Sequence, residues 1–167
     1  AGSYGKSPST ALLSHVLETA GQNPSYFIGA VPLTPALSAK AGNGAFFVME
    51  GDEYPASNTD PRSKFLLMQP KHLLVTPLAH DHFNVFPTPE DYLKPFYELI
   101  DVPPAGGAIV VCTEGPLSGA FISAVKRPVV TYGLHNGEFQ AADIVWGERT
   151  NFTVTQNGAP LAMVETS

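Results

Sequence analysis

Charged side chains are scarce in this sequence: they make up 14% of its 167 residues. With 44% hydrophobic residues and ten Phe, that scarcity excludes an intrinsically disordered chain, which needs the opposite balance. Basic residues are scarcer still, nine Lys and Arg against fifteen Asp and Glu, for a formal charge of −6. Such a chain repels nucleic acid and anionic membrane, so neither is expected as a partner. A single cysteine, Cys112, excludes an internal disulfide and suits a reducing, cytoplasmic compartment. No apolar run approaches the roughly 20 residues that span a bilayer. No basic-then-apolar segment of the signal-peptide type opens the chain. What is abundant is punctuation: sixteen Pro and fifteen Gly mean many turns and interrupted elements. The length fits one domain, residues 1–167, with a sizeable core.

Between the punctuation, strands and helices alternate. Residues 7–20 read as a helix whose Leu12, Leu13, Val16, Leu17 and Ala20 share one face, with Gly21 as its stop. Residues 26–28 read as a short strand and 34–44 as a loop. Four near-continuous apolar runs, 45–49, 72–76, 108–112 and 128–132, suit strands buried on both faces of a parallel sheet. Thr88-Pro89-Glu90-Asp91 is a helix start: hydroxyl cap, Pro at the first position, acids in the first turn. Leu93, Phe96, Tyr97 and Ile100 give that helix its core face, and Pro95 should kink it. Residues 117–125 are a weaker helix. Residues 139–146 and 151–155 read as strands, and Asn157-Gly158 is a hairpin signal. The expected class is α/β: a P-loop-type, mostly parallel sheet flanked by helices, with a β-rich C-terminal portion.

Three stretches carry chemistry. In Gly2-Ser3-Tyr4-Gly5-Lys6-Ser7, a glycine turn opens a helix, where backbone N–H groups attract phosphate. Lys6 adds a charge for the outer phosphates, and the Ser7 hydroxyl suits Mg²⁺. An ordinary turn with an exposed lysine is the competing reading. In Glu50-Gly51-Asp52-Glu53, acids end the first apolar run, where a nucleotide-bound Mg²⁺ sits in such folds, and Glu50 is the first choice. A solvated acidic loop is the alternative. His80-Asp81-His82 follows the second run; if extended, His80 and His82 share a face, which admits a metal-dependent hydrolase. Against that stands a shortage of further ligands at recognisable spacing. Arg62 and Lys64 suit either an anionic substrate or the surface. Cys112 reads as a core residue.

Taken together, these stretches resemble the central ATP-binding domain of the Mur ligases, in the branch that holds the murein-peptide recycling ligase and UDP-N-acetylmuramate–L-alanine ligase. Gly2 through Ser7 resemble the family's G-T-x-G-K-[ST]. Glu50 through Tyr54 resemble E-[AG]-D-E-Y, and Asp60, Arg62, Ser63, Lys64 and Phe65 resemble D-x-R-S-K-F. Residues 28–33 match I-G-G-V-P-L, Asp81-His82 matches D-H, and residues 85–87 resemble I-F-P. The chain departs from the pattern at Tyr4, Pro8, Pro55, Ala79 and Asn84; of these, Tyr4, Ala79 and Asn84 motivate a third reading, a degenerate nucleotide-binding module without catalysis.

The resemblance implies an ATP-dependent amide-bond ligase in peptidoglycan synthesis or recycling. Such a ligase joins an amino acid or peptide to a UDP-N-acetylmuramate-type substrate through an acyl phosphate. It implies ATP held by Gly2, Ser3, Gly5, Lys6 and Ser7, with Lys6 on the outer phosphates. It implies Mg²⁺ at Ser7 and Glu50 and a second Mg²⁺ at His82, so that Lys6, Glu50 and His82 carry catalysis. It also implies partner domains on the same polypeptide. The opening without Met, and a glycine-lysine-serine loop with no strand before it, lead to the expectation of a fragment; the resemblance implies that without the family's other two domains it does not ligate by itself.

Overall fold

Residues 1–34 and 36–166 are described by a computed structural model. They fall into two units, Ala1–Met68 and Gln69–Ser167.

In the first unit α1 (Lys6–Thr19) begins straight after Gly5, whose φ of 83° lies in the left-handed region that glycine enters without steric cost. Gly21 stops the helix at φ 71°, its N–H on the Glu18 carbonyl at 2.9 Å. The short strands β1 (Ser25–Phe27), β2 (Ala39–Lys40) and β3 (Phe47–Met49) form a sheet of order β2-β1-β3. β1 and β3 run parallel, with Tyr26 opposite Val48. Ala11 of α1, Tyr26 and Ile28 make a small core, and Val48 packs against it.

Two expectations are corrected here. The 45–49 run is not buried on both faces: β3 is an edge strand, with Phe47 60% and Met49 39% exposed. Alternation turns Val48 to α1 and its neighbours away. Nor is the leucine stripe of α1 its core face. Thr10, Ala11 and Ser14 are buried, whereas Leu12 is 60% and Val16 52% exposed. Small side chains let the helix lie close to β1 and β3.

Two further strands, β4 (Pro55–Ser57) and β5 (Asp60–Ser63), pair antiparallel as a hairpin with no counterpart in the sequence reading. The Ser57 hydroxyl accepts the Thr59 and Asp60 N–H groups and closes its turn. A 3₁₀ turn, Lys64–Leu67, follows.

The second unit holds β6 (Leu73–Val75), α2 (Pro89–Ile100), β7 (Ile109–Cys112), α3 (Ser118–Ala124), β8 (Val130–Gly133), β9 (Phe139–Val145), β10 (Thr150–Gln156) and β11 (Ala159–Thr166). Its six-stranded sheet has the order β11-β10-β9-β8-β7-β6. Strands β6 to β9 run parallel, while β9, β10 and β11 form an antiparallel meander. Asn157 at φ 50° and Gly158 at φ 81° supply the left-handed pair for the β10–β11 turn. The α/β class and its β-rich tail are as the sequence reading expects.

Helix α2 starts as expected: the Thr88 hydroxyl accepts the Asp91 N–H at 3.1 Å, Pro89 follows, and Glu90 and Asp91 occupy the first turn. The helix runs through Pro95. It buries Tyr92, Leu93, Phe96, Leu99 and Ile100. The rings of Phe86, Tyr92, Phe96 and Phe121 form a chain, with centroids 5.2 to 6.5 Å apart. Buried Leu73, Val75, Ile109, Val111 and Cys112 bear out the strand and core readings of two apolar runs and of the cysteine.

Candidate phosphate and metal site

The 2–7 loop needs positive φ at both ends: Gly2 at 132° and Gly5 at 83°. α1 has no side-chain cap, so the N–H groups at its start are not taken by a capping side chain. Pro8 sits in that turn, where a missing N–H breaks no helical bond. Tyr4 is exposed on the loop.

Lys6 turns back over the loop. Its ammonium donates to the Gly2 carbonyl at 2.7 Å and more weakly to Ser3 O at 3.4 Å. It also meets both carboxylate oxygens of Glu53 at 3.1 Å. Ser7, one residue on, points to the end of β3: its hydroxyl donates to Glu50 Oε1 at 3.1 Å. The other Glu50 oxygen accepts the Gly29 N–H at 2.8 Å. Gly2, Ser3, Gly5, Lys6, Ser7 and Glu50 are therefore gathered at one helix N-terminus. β3 delivers Glu50 there because its backbone continues the ladder, the Glu50 N–H reaching Phe27 O at 3.0 Å.

Glu50 Oε1 and Ser7 Oγ are hard oxygen donors side by side. Mg²⁺ is held in this way, by one or two protein oxygens, with water and phosphate filling the octahedron. The loop's glycines, uncapped N–H groups and lysine suit a polyphosphate. The donor set therefore fits a magnesium–nucleotide pair.

Asp52 belongs to the fixing of this stretch. Burial pushes its carboxyl up, but the Lys64 ammonium at 2.7 Å and the Tyr54 N–H at 2.9 Å outweigh that and hold it below the usual carboxylate value. Lys64 thus bonds within the protein, its ammonium 6.0 Å from the Tyr54 ring centroid. Arg62 forks onto Asp60, with contacts from 2.7 to 3.2 Å, on the exposed hairpin.

His82 lies in the second unit, on the loop after β6, at φ 56°. Its N–H reaches Asp81 Oδ1 at 2.7 Å, and its Nδ1 stands 3.7 Å from the same oxygen. The His80-Asp81-His82 row is therefore not extended, and the shared face on which the hydrolase reading depended does not form. His80 Nε2 is hydrogen-bonded with the Phe86 carbonyl at 2.8 Å, and its ring stands edge-on to Phe83 at 4.4 Å. Among the described residues no group of three or more His, Cys, Asp or Glu side chains converges as a metal site.

Sequence reasoning missed Glu53 and Gly29. The acidic stretch was visible, but residue types alone do not tell which acid faces the lysine. Gly29 lay inside the matched I-G-G-V-P-L stretch without a role.

Comparison with known proteins agrees with this geometry. The family model described as Mur ligase middle domain matches residues 1–164. UDP-N-acetylmuramate–L-alanine ligase of Nitrosomonas eutropha is 36% identical over 147 residues, covering 86% of this chain and 30% of the relative. The chain thus spans about a third of the length of such relatives. The crystal structure of UDP-N-acetylmuramate:L-alanyl-gamma-D-glutamyl-meso-diaminopimelate ligase from Neisseria meningitides superposes with a TM-score of 0.84 at 29% identity, covering 98% of this chain and 52% of that one. MurF ligase from Thermotoga maritima, solved in complex with ADP, shares the fold, with a TM-score of 0.72 at 16% identity over 98% of this chain and 38% of that one. The chain belongs to the Mur ligase family, as its middle domain.

Proposed function

We propose that this chain is the ATP- and Mg²⁺-binding part of an ATP-dependent carbon–nitrogen ligase. The ligase extends a UDP-N-acetylmuramate-type substrate with an amino acid or peptide, in cytoplasmic peptidoglycan synthesis or recycling. Residues 1–167 act as one functional domain beside other domains of the same polypeptide. The observation that carries the reading is the Ser7 hydroxyl set on Glu50, next to Lys6 and the glycine loop.

In this reading the loop N–H groups and Lys6 orient the outer phosphates of ATP. Ser7 and Glu50 hold Mg²⁺, which when bound neutralises charge on those phosphates. A substrate carboxylate attacks the γ-phosphorus, the bond to the β-phosphate oxygen breaks, and ADP leaves. The amine then adds to the acyl carbon and releases a proton, and inorganic phosphate departs from the tetrahedral intermediate. The protein supplies position and charge rather than a covalent nucleophile. His82 is the proposed ligand of a second Mg²⁺.

Titrating MgATP into the chain, beside Lys6→Ala, tests this. Affinity that requires Mg²⁺ and falls at least about tenfold in Lys6→Ala is the expected result, a loss typical of one charged contact. Equal affinity in both proteins would sink the reading. Binding without turnover in the complete polypeptide would leave only the non-catalytic module.

A further inference from the structure

We propose that Glu53 is the positioning residue of the phosphate-binding lysine. Its carboxylate stays on the Lys6 ammonium while the loop carbonyls give up their hydrogen bonds to phosphate. This inference rests on the phosphate-loop reading above.

Glu53 is wholly buried, at 0% exposure, while the Lys6 side chain is 17% exposed. Both Glu53 oxygens contact the ammonium at 3.1 Å. Pulling a buried carboxylate away from an ammonium that both its oxygens contact is disfavoured, so this pair resists separation. The other partners of Lys6 are neutral carbonyls, Gly2 O at 2.7 Å and Ser3 O at 3.4 Å, on a glycine-containing turn. An ammonium has three N–H groups, so an incoming phosphate must replace some existing partner. The neutral carbonyls are the ones released at lower cost.

The backbone around Glu53 is built to keep it still. On one side the Asp52 carbonyl accepts the Phe65 N–H at 3.1 Å; on the other the Tyr54 carbonyl accepts the Lys64 N–H at 2.9 Å. The Lys64 ammonium closes the clasp on the Asp52 carboxylate at 2.7 Å. The chain just after the β4–β5 hairpin therefore grips the residues on both sides of Glu53. Lysine has a flexible four-carbon stem, and an anchor at its head removes much of the ordering cost of binding phosphate. The two outer glutamates of the acidic stretch divide the site: Glu50 holds Ser7 and Glu53 holds Lys6.

The test is calorimetric titration of MgATP into the chain, with Glu53→Gln, Glu53→Asp, Lys6→Ala and the Lys6→Ala/Glu53→Gln double variant, and thermal melts of each. Glu53→Gln should weaken MgATP about tenfold, the coupling expected of contacting residues. Glu53→Asp, which keeps the charge on a shorter stem, should lose less. In the Lys6→Ala background Glu53→Gln should cause no further loss of affinity, even where its melting temperature falls; a merely structural role would persist there. The inference is overturned if Glu53→Gln binds as tightly as the parent, or if its loss adds fully to that of Lys6→Ala. If Glu53→Gln does not fold, Glu53→Asp carries the comparison, and unchanged affinity in that variant overturns the inference. A parent chain that does not bind MgATP, or binds it as well after Lys6→Ala, overturns the phosphate-loop reading and this inference with it.

Discussion

The Ser7 hydroxyl donates to Oε1 of Glu50 at 3.1 Å, joining the start of α1 to the end of β3 across a sequence separation of 43 residues. Magnesium held by both oxygens would take the place of that hydrogen bond. Glu50→Gln keeps the shape and removes the charge. MgATP affinity should then fall about ten- to hundredfold, the range of one charged hydrogen bond. The weaker affinity for ATP in EDTA should stay unchanged. Calorimetry at two Mg²⁺ concentrations reads both; equal losses with and without Mg²⁺ would remove the metal from this pair.

Gly29 controls where that carboxylate points. A Cβ at Gly29 would stand 2.7 Å from Glu50 Oε1 and 2.8 Å from its Cδ. The obstacle is the free end of a side chain, so Gly29→Ala should shift Glu50 and leave the fold intact. The expected outcome is a melting temperature within a few degrees of the parent and MgATP affinity down severalfold, about 1 kcal/mol. A large drop in melting temperature with unchanged affinity would show that the Gly29–Glu50 bond serves folding alone.

Much of this was legible because the signals were local. The Thr88 cap, Pro89 and the acids of α2 determine a helix start within four residues, and Asn157-Gly158 determines a turn within two. The 2–7 loop and Glu50 were legible because their chemistry is written in residue types. Glu53 was not. Its place on Lys6 depends on Lys64 and Phe65 gripping its neighbours from beyond a hairpin, and no periodicity records that pairing. The face of α1 was misread for a related reason. Periodicity follows the large apolar side chains, while the tight approach to β1 and β3 selects Ala11 and Ser14.

The inverted face of α1 has a direct consequence for stability. Leu12 is 60% exposed, so Leu12→Ser should change the unfolding free energy by no more than about 0.5 kcal/mol. Ser14 is fully buried, its hydroxyl on the Thr10 carbonyl at 2.7 Å. Ser14→Leu inserts bulk where the helix is closely packed and should cost about 1–3 kcal/mol. Urea unfolding of the two variants decides between the faces. A greater loss from Leu12→Ser would restore the leucine stripe as the core.

Acid should loosen one loop before the rest of the second unit. Oε1 of Glu114, just beyond β7, accepts the N–H groups of Leu134 at 2.8 Å and His135 at 3.1 Å, in the turn between β8 and β9. The His135 N–H, then the Leu134 N–H, hold the carboxyl below its ordinary value. Because the folded value is depressed, this stabilisation is fully present above the unfolded carboxylate value, about 4.3. It is lost as pH falls through the folded value. Hydrogen exchange, corrected for intrinsic rate, should show protection at Leu134 and His135 falling as the pH drops below about 4, the low end of the carboxylate range. Val111, fully buried on β7, should keep its protection over the same interval. Glu114→Gln should show the low protection at every pH, because a neutral amide oxygen accepts more weakly than a carboxylate. Protection at Leu134 and His135 that stays flat from pH 7 to pH 3 in the parent would mean that the turn is held by other bonds, such as that from the Thr113 hydroxyl to the Asn136 carbonyl at 2.9 Å, and not by Glu114.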